Sequence, residues 1–208
     1  MGRYTGPVCR KCRREGVKLF LKGERCFSAK CALERRNFPP GPTGRMQKKM
    51  SGYGAQLREK QKVRTLYGMF EKSFRHWFEK AATRPGITGA NLLMMLESRL
   101  DNCLYRMGLA SSRRQGRQFV RHGLVTVNGR KMDVPSYQAK PGDLIAMHAS
   151  ARENDHVKKA VEAVKLRGVP GWLSVDAEKR EGKVLMMPSR DMIDVSAQEQ
   201  LIVELYSK

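Results

Sequence analysis

Ser112-Arg-Arg-Gln-Gly-Arg-Gln-Phe-Val-Arg-His-Gly-Leu-Val-Thr-Val-Asn-Gly-Arg130 carries a helix, its stop and a hairpin in one short run. Ser111 and Ser112 offer a cap, the spacing predicts a helix over 113–122, and Gly123 ends it. Arg113, Arg117 and Arg121 recur at i, i+4 and i+8, so they share one side, and Arg114 widens that side. Leu109, Phe119 and Val120 supply the apolar side. A solvated charged face is the plain alternative, but no acid interrupts the run. Val125 to Val127 then reads as a strand, Asn128-Gly129 as a tight turn, and Arg130 to Val134 as the returning strand. Lys140-Pro-Gly-Asp143 marks another turn before a strand at Leu144 to Met147. Basic helix, glycine, hairpin and turn compose one small unit whose basic side is expected to meet RNA.

Upstream, Thr88 is the expected cap of a helix that keeps Leu92, Leu93, Leu96, Leu100, Cys103, Leu104 and Met107 on one face as far as Gly108. Cys103 belongs to that buried stripe, and Arg99 and Asp101 are expected to pair locally on the exposed side. From Gln56 to about Ala82 a helical pattern repeats Leu66, Phe70, Phe74, Trp77, Phe78 and Ala81 at spacings of three and four, which is core spacing rather than a base-stacking surface. Arg58, Lys60, Lys62 and Arg64 flank it as candidate RNA contacts. His76 has no recognisable acid or nucleophile beside it.

Near the N-terminus, Cys9-x2-Cys12 and Cys26-x4-Cys31 form two short pairs of thiols separated by a loop with Gly16 and Gly23. Such spacing offers four thiolates to one ion, and Arg10, Lys11, Arg13, Arg14, Arg25 and Lys30 are expected to favour the thiolate form. Zinc in a closed tetrahedral site is the first expectation, and a 4Fe-4S cluster is the alternative. Four unrelated buried thiols is the plain reading. A disulfide framework is not expected, because five cysteines cannot all pair within the chain. Three prolines and two glycines between Asn37 and Lys49 predict an extended segment that frees Arg45, Lys48 and Lys49 to reach phosphates, or else a flexible linker.

Charge orders these elements. The 208 residues carry 41 Lys and Arg against 20 Asp and Glu, a formal charge of +21 that calls for a polyanion. Residues 1–50 hold 14 basic against 3 acidic side chains, residues 51–100 hold 9 against 4, and residues 101–150 hold 8 against 3. The remainder holds 10 of each, so it is expected to face solvent, the rest of the chain or a protein. The N-terminus has no apolar stretch that would predict a signal peptide, and the longest apolar run, Leu92 to Leu96, is too short to span a bilayer. A cytoplasmic chain without a membrane partner or small-molecule substrate is expected. No phosphate-loop or nucleophile-elbow pattern is present.

Towards the C-terminus, residues 154–168 suit an amphipathic helix with Val157, Ala160, Val161 and Val164 inward and Gly168 as its stop. Trp172 to Val175 and Lys183 to Met187 are strand candidates. Ser196 to Tyr206 suits helix or strand, with helix preferred.

Three strings carry a family resemblance: Arg99-Leu-Asp-Asn-Cys-Leu-Tyr-Arg-Met-Gly-Leu-Ala-Ser-Ser-Arg113, Val120 to Gly129, and Pro135 to Asp143. With Gly2 to Pro7, Tyr53 to Arg64 and Leu201 to Lys208, the chain resembles the bacterial small-subunit ribosomal protein four family essentially end to end. Some relatives lack the cysteine quartet, so the resemblance is to the metal-binding branch. It implies an α+β fold: a four-cysteine metal knuckle and basic segment over residues 1–50, a helical domain over 51–97 completed by 196–208, and an RNA-binding module with an αβ extension over 98–195. It implies a structural role rather than catalysis: early binding of small-subunit rRNA and nucleation of the subunit body. The expected RNA contacts are Arg3, Arg10, Lys11, Arg13, Arg14, Lys22, Arg35, Arg36, Tyr53, Arg58, Lys60, Lys62, Arg64, Arg113, Arg114, Arg117, Arg121, His122, Asn128 and Arg130. The resemblance places Arg45, Lys48 and Lys49 where mRNA enters the ribosome. It assigns the neutral C-terminal side, with Leu201, Ile202, Leu205 and Tyr206, to an interface with ribosomal protein number five that influences decoding accuracy. An RNA-modifying enzyme with the same module would need a catalytic domain for which residues 151–208 leave little room. A zinc-dependent DNA regulator would need a base-reading helix that the sequence does not show.

Overall fold

Ser112 starts the decisive helix as its sequence predicts: its hydroxyl accepts the Gln115 N–H at 3.3 Å, and the Gln115 carboxamide oxygen accepts the Ser111 N–H at 2.6 Å. These distances come from a computed structural model, which describes residues 2, 4–42, 44 and 49–207, with the backbone alone at 163 and 165–167. Arg3, Arg45 and Lys48 lie outside the described residues. The helices, in chain order, are α1 (Cys9–Glu15), α2 (Ala32–Arg35), α3 (Gly52–Leu66), α4 (Glu71–Ala82), α5 (Thr88–Glu97), α6 (Leu100–Arg106), α7 (Arg113–Arg121), α8 (Ala149–Arg152), α9 (Asp155–Arg167) and α10 (Glu199–Tyr206). The strands are β1 (Val125–Val127), β2 (Arg130–Lys131), β3 (Leu144–Met147), β4 (Leu173–Asp176) and β5 (Glu181–Val184).

Two compact units result, one of Met1–Leu92 with Val195–Lys208 and one of Leu93–Asp194. In the second, the strands form one antiparallel sheet in the order β2-β1-β3-β5-β4. Leu100, Leu104, Met107, Leu109, Phe119, Val125, Ile145 and Trp172 make its core. Each fully buried aliphatic side chain there contributes about 1.5–3 kcal/mol. The Asn128-Gly129 turn has φ of +51° and +78°, the paired left-handed geometry that a two-residue hairpin requires. Gly116 has a packing reason: a Cβ there would stand 2.5 Å from the Asp101 carbonyl oxygen, so α6 and α7 meet as closely as backbone allows.

Several expected elements are divided or shortened. The long aromatic helix is two, because Gly68 at φ +62° closes α3 with the Gly68 and Met69 N–H groups donating to the Thr65 and Arg64 carbonyls. Phe74, Phe78 and Ala81 are buried as core, whereas Phe70 is exposed and Trp77 half-buried. The helix expected from Thr88 to Gly108 breaks at Arg99, which is extended and bridged to Gln138. The segment 135–139 takes over the backbone there: Leu100 N–H donates to the Tyr137 carbonyl and Gln138 Nε2 to the Met95 carbonyl. Thr88 is the first helical residue rather than the cap, since Asn91 N–H donates to the Ile87 carbonyl. The strands expected over 130–134 and 183–187 end at Lys131 and Val184, and Leu185 and Met186 are exposed. Arg99 and Asp101 do pair, at 3.0 and 2.6 Å, but both are buried.

In the first unit α10 is helical and packs on α3, with Ile202 fully buried. Tyr206 lies 4.6 Å from Phe78 between ring centroids, and its hydroxyl donates to Glu71 Oε1 at 2.8 Å. Ile202 and Tyr206 therefore contact the chain's own helices, Ile202 wholly buried there and Tyr206 half-buried.

Candidate nucleic-acid interface

The arginine row of α7 divides into anchored and accessible members. Arg113 Nε donates to Asn102 Oδ1 at 2.7 Å, and its guanidinium lies over the Tyr105 ring at 4.6 Å. Arg117 stands 3.6 Å from the Asp101 carboxylate, which also receives both hydrogen bonds from Arg99. Asp101 is thus the acid that the run itself lacks, brought in from α6. Glu97 and Arg106 form a further ion pair. Arg114 remains half-buried, while Arg121 is exposed and its guanidinium reaches the Asp133 carbonyl at 3.5 Å.

Next to Arg121 the accessible surface continues through His122, Asn128, Gly129 and Arg130, all exposed. Lys131 and Lys140 join it; the sequence reading missed both, although they flank the turns it identified. The two turns are tied together. Asn128 Nδ2 donates to Asp143 Oδ1 at 2.9 Å, while the Tyr137 hydroxyl and the Lys140 N–H donate to Asp143 Oδ2 at 3.0 and 2.9 Å. Burial pushes the Asp143 carboxyl up, but these three donors outweigh it and hold it below its ordinary value. Asn128 is consequently an orienting residue whose side chain is engaged within the module, and its backbone turn presents Arg130.

On the first unit the picture is mixed. Arg10, Arg14, Lys22, Arg35 and Arg36 are exposed, as are Lys49 and Tyr53. Lys11 lies over the Tyr4 ring, and Arg13 donates to the Phe38 carbonyl at 3.0 Å. The basic row of α3 is largely compensated. Arg58 pairs with Glu15 at 3.0 Å, Lys62 with Glu59 at 2.7 Å, and Lys60 with Glu71 at 2.6 Å, with Arg64 at 3.7 Å from Glu71. Lys60 is buried, which removes it from any accessible basic surface.

The four N-terminal cysteines line one small cavity, closed by Val8, Leu21, Lys22 and Arg25. Gly16 and Gly23 turn the chain at φ +69° and +60°, as their spacing suggests. Lys22 N–H donates to Cys26 Sγ at 3.3 Å, a bond of the kind that steadies metal-bound thiolates. All five cysteines are free thiols. Burial pushes the Cys12 and Cys26 thiols up, with the neighbouring cysteines adding to the shift. Among the described residues no group of three or more His, Cys, Asp or Glu side chains is set to hold a metal ion. Cys103 is fully buried in the core, as its helical spacing requires.

Residues 3–97 match the family model described as ribosomal protein S4/S9 N-terminal domain, and residues 98–145 match the S4 domain. The chain is similar over its full length, and the full length of the relative, to the small ribosomal subunit proteins uS4 of Pelotomaculum thermopropionicum and Thermodesulfovibrio yellowstonii, each 54% identical over 208 residues. It is likewise similar to that of Thermus thermophilus, 54% identical over 209 residues. Basic helix, locked hairpin and flanking helical unit thus coincide with both halves of one family, and the chain belongs to the uS4 family of small ribosomal subunit proteins.

Proposed function

We propose that this chain is a structural, non-enzymatic, rRNA-binding component of the small ribosomal subunit, residing on the ribosome in the cytoplasm. The accessible end of α7 together with the β1-β2 turn carries the reading: Arg121, His122, Arg130 and Lys131 are exposed there, in excess over the exposed Asp133 whose carbonyl Arg121 reaches. Each phosphate neutralised there releases condensed counterions, so affinity falls steeply with salt. Shape at a helical junction supplies specificity, because the A-form major groove excludes side chains. No helix among the described residues is long and apolar enough to cross a membrane.

The finer role we infer is early binding that nucleates the subunit body, with Arg45, Lys48 and Lys49 near the channel where mRNA enters and an interface with ribosomal protein number five that tunes decoding. The family match supports it, and the even charge balance of residues 151–208 leaves a face suited to a protein neighbour. Reconstitution of the small subunit from its rRNA and proteins with and without the chain tests it: loss of body assembly is expected, and unimpaired assembly overturns nucleation.

Cys9, Cys12, Cys26 and Cys31 would hold one metal centre, zinc first and a 4Fe-4S cluster as the alternative. Their common cavity and the Lys22 N–H on Cys26 support that donor set. Either group would act as a cross-link that stiffens the basic loops. Elemental analysis with an absorption spectrum separates the two, since zinc is colourless and a cluster absorbs across the visible. Metal-free protein of wild-type thermal stability overturns both.

A further inference from the structure

Around the second cysteine pair the chain carries an exposed aromatic feature that its motifs do not explain. Phe20 adopts φ +51°, a left-handed conformation that a bulky side chain occupies only when its surroundings impose it. That backbone places the Phe20 ring 4.9 Å from the Phe27 ring between centroids, at an interplanar angle of 28°. Phe20 is partly covered, while Phe27 is 54% exposed. A large aromatic ring backed by a second ring and left open to water offers a flat face on which a base can stack. The ring is also held by its loop. Phe27 N–H donates to the Glu24 carbonyl at 3.0 Å, Ser28 Oγ donates to the Arg25 carbonyl at 3.2 Å, and Arg25 Nε donates to the Lys30 carbonyl at 3.3 Å.

The charges in the same loop favour a nucleic acid over an apolar protein surface. Lys22, Arg25 and Lys30 are exposed, and Glu24 is the one acid in residues 22–30. Aromatic ring and cations interleaved on one loop are what an unpaired base and its phosphates require. We propose that Phe27, backed by Phe20, is a stacking platform for an unpaired base of the bound RNA, with Lys22, Arg25 and Lys30 meeting the adjacent phosphates. The proposal rests on the rRNA-binding reading.

Filter binding of the full chain to a small-subunit rRNA transcript across a salt series tests it. Phe27→Leu keeps an apolar side chain over Phe20 but cannot stack, so its affinity falls by about 5- to 100-fold, with the log-log salt slope unchanged because no charge is removed. Phe27→Tyr keeps wild-type affinity. In Phe27→Trp, RNA quenches the added indole emission beyond that of Trp77 and Trp172 in the unaltered chain. Phe27→Leu at wild-type affinity, as a protein-docking ring would give, overturns the proposal, and so does absence of added quenching. A fall with a reduced salt slope also overturns it, since phosphate contact would then be what was lost. An unaltered chain that does not bind the transcript overturns the rRNA reading itself, and the stacking proposal with it.

Discussion

Asn128 and Asp143 are joined by a 2.9 Å hydrogen bond from Nδ2 to Oδ1 that ties the β1-β2 turn to the turn before β3. Asn128 Oδ1 also accepts the Leu144 N–H at 2.9 Å, so the side chain satisfies donor and acceptor at once. Asn128→Ala leaves a buried carboxylate short of one donor and removes the favourable left-handed residue. We expect a loss of about 1–3 kcal/mol, read as a lower urea midpoint at unchanged slope.

The same carboxylate makes the module acid-sensitive. Burial raises the Asp143 carboxyl and its three donors lower it further than that, so its folded value lies below the unfolded one of about 3.9. Its contribution is therefore complete above the unfolded value and lost as pH falls through the folded value. Asp143→Asn should be less stable near neutrality and should lose part of the acid-induced decline of the unaltered chain. Equal acid dependence in the two proteins, followed by circular dichroism, would show that this carboxylate is not responsible.

Gly116 offers a test in which two effects oppose each other. In a free helix, replacing glycine by alanine is favourable by about 0.8–1 kcal/mol. Here the new methyl would meet the Asp101 carbonyl oxygen at 2.5 Å, and backbone cannot move aside as a flexible side chain can. Overpacking of that kind costs about 1–3 kcal/mol, so Gly116→Ala should destabilise the module. A raised melting temperature would place the helices further apart than described.

These relationships show what was legible and what was not. Ser112, Gly123 and Asn128-Gly129 act through their immediate neighbours, so the helix, its stop and the hairpin could be read directly. Gly68 acts locally too, but the aromatic spacing on either side bridged it and concealed the break. The Arg99–Asp101 pair is legible at two residues' separation, but its burial is not, because nothing in its vicinity along the chain announces that Arg117 also converges on Asp101. The compensation of Arg58 by Glu15 is likewise a contact across 43 positions, invisible to charge counting along one helix. Charge composition identified the polyanion, but which cations are accessible is settled only by packing.

Ile202 tests the discontinuous first unit. It is fully buried on α10 beside the hydrogen-bonded Tyr206, which shares Glu71 with Lys60. Burial raises the Tyr206 hydroxyl and its bond to Glu71 raises it further, so the phenol stays neutral and donating across the physiological range. Ile202→Ala should cost about 2–5 kcal/mol and release α10 to proteolysis, whereas Tyr206→Phe removes one hydrogen bond and costs about 0.5–1.5 kcal/mol. Limited proteolysis followed by mass spectrometry distinguishes them, and protection of α10 in Ile202→Ala would contradict the packing.

The two arginines of α7 should separate binding from stability. Arg121 is exposed and leans only on a carbonyl at 3.5 Å, so Arg121→Glu leaves the fold intact and replaces a phosphate contact with repulsion. RNA affinity should fall and the log-log salt slope should decrease by about one unit per lost contact. Arg117 instead shares Asp101 with Arg99 in a largely buried cluster. Arg117→Glu would set two carboxylates against each other, and breaking such a pair costs about 3–5 kcal/mol. Its RNA affinity would then fall because α7 is no longer held. Urea melts and filter binding on both variants decide between the roles: a stable Arg117→Glu that still loses affinity would return Arg117 to the RNA-contacting surface.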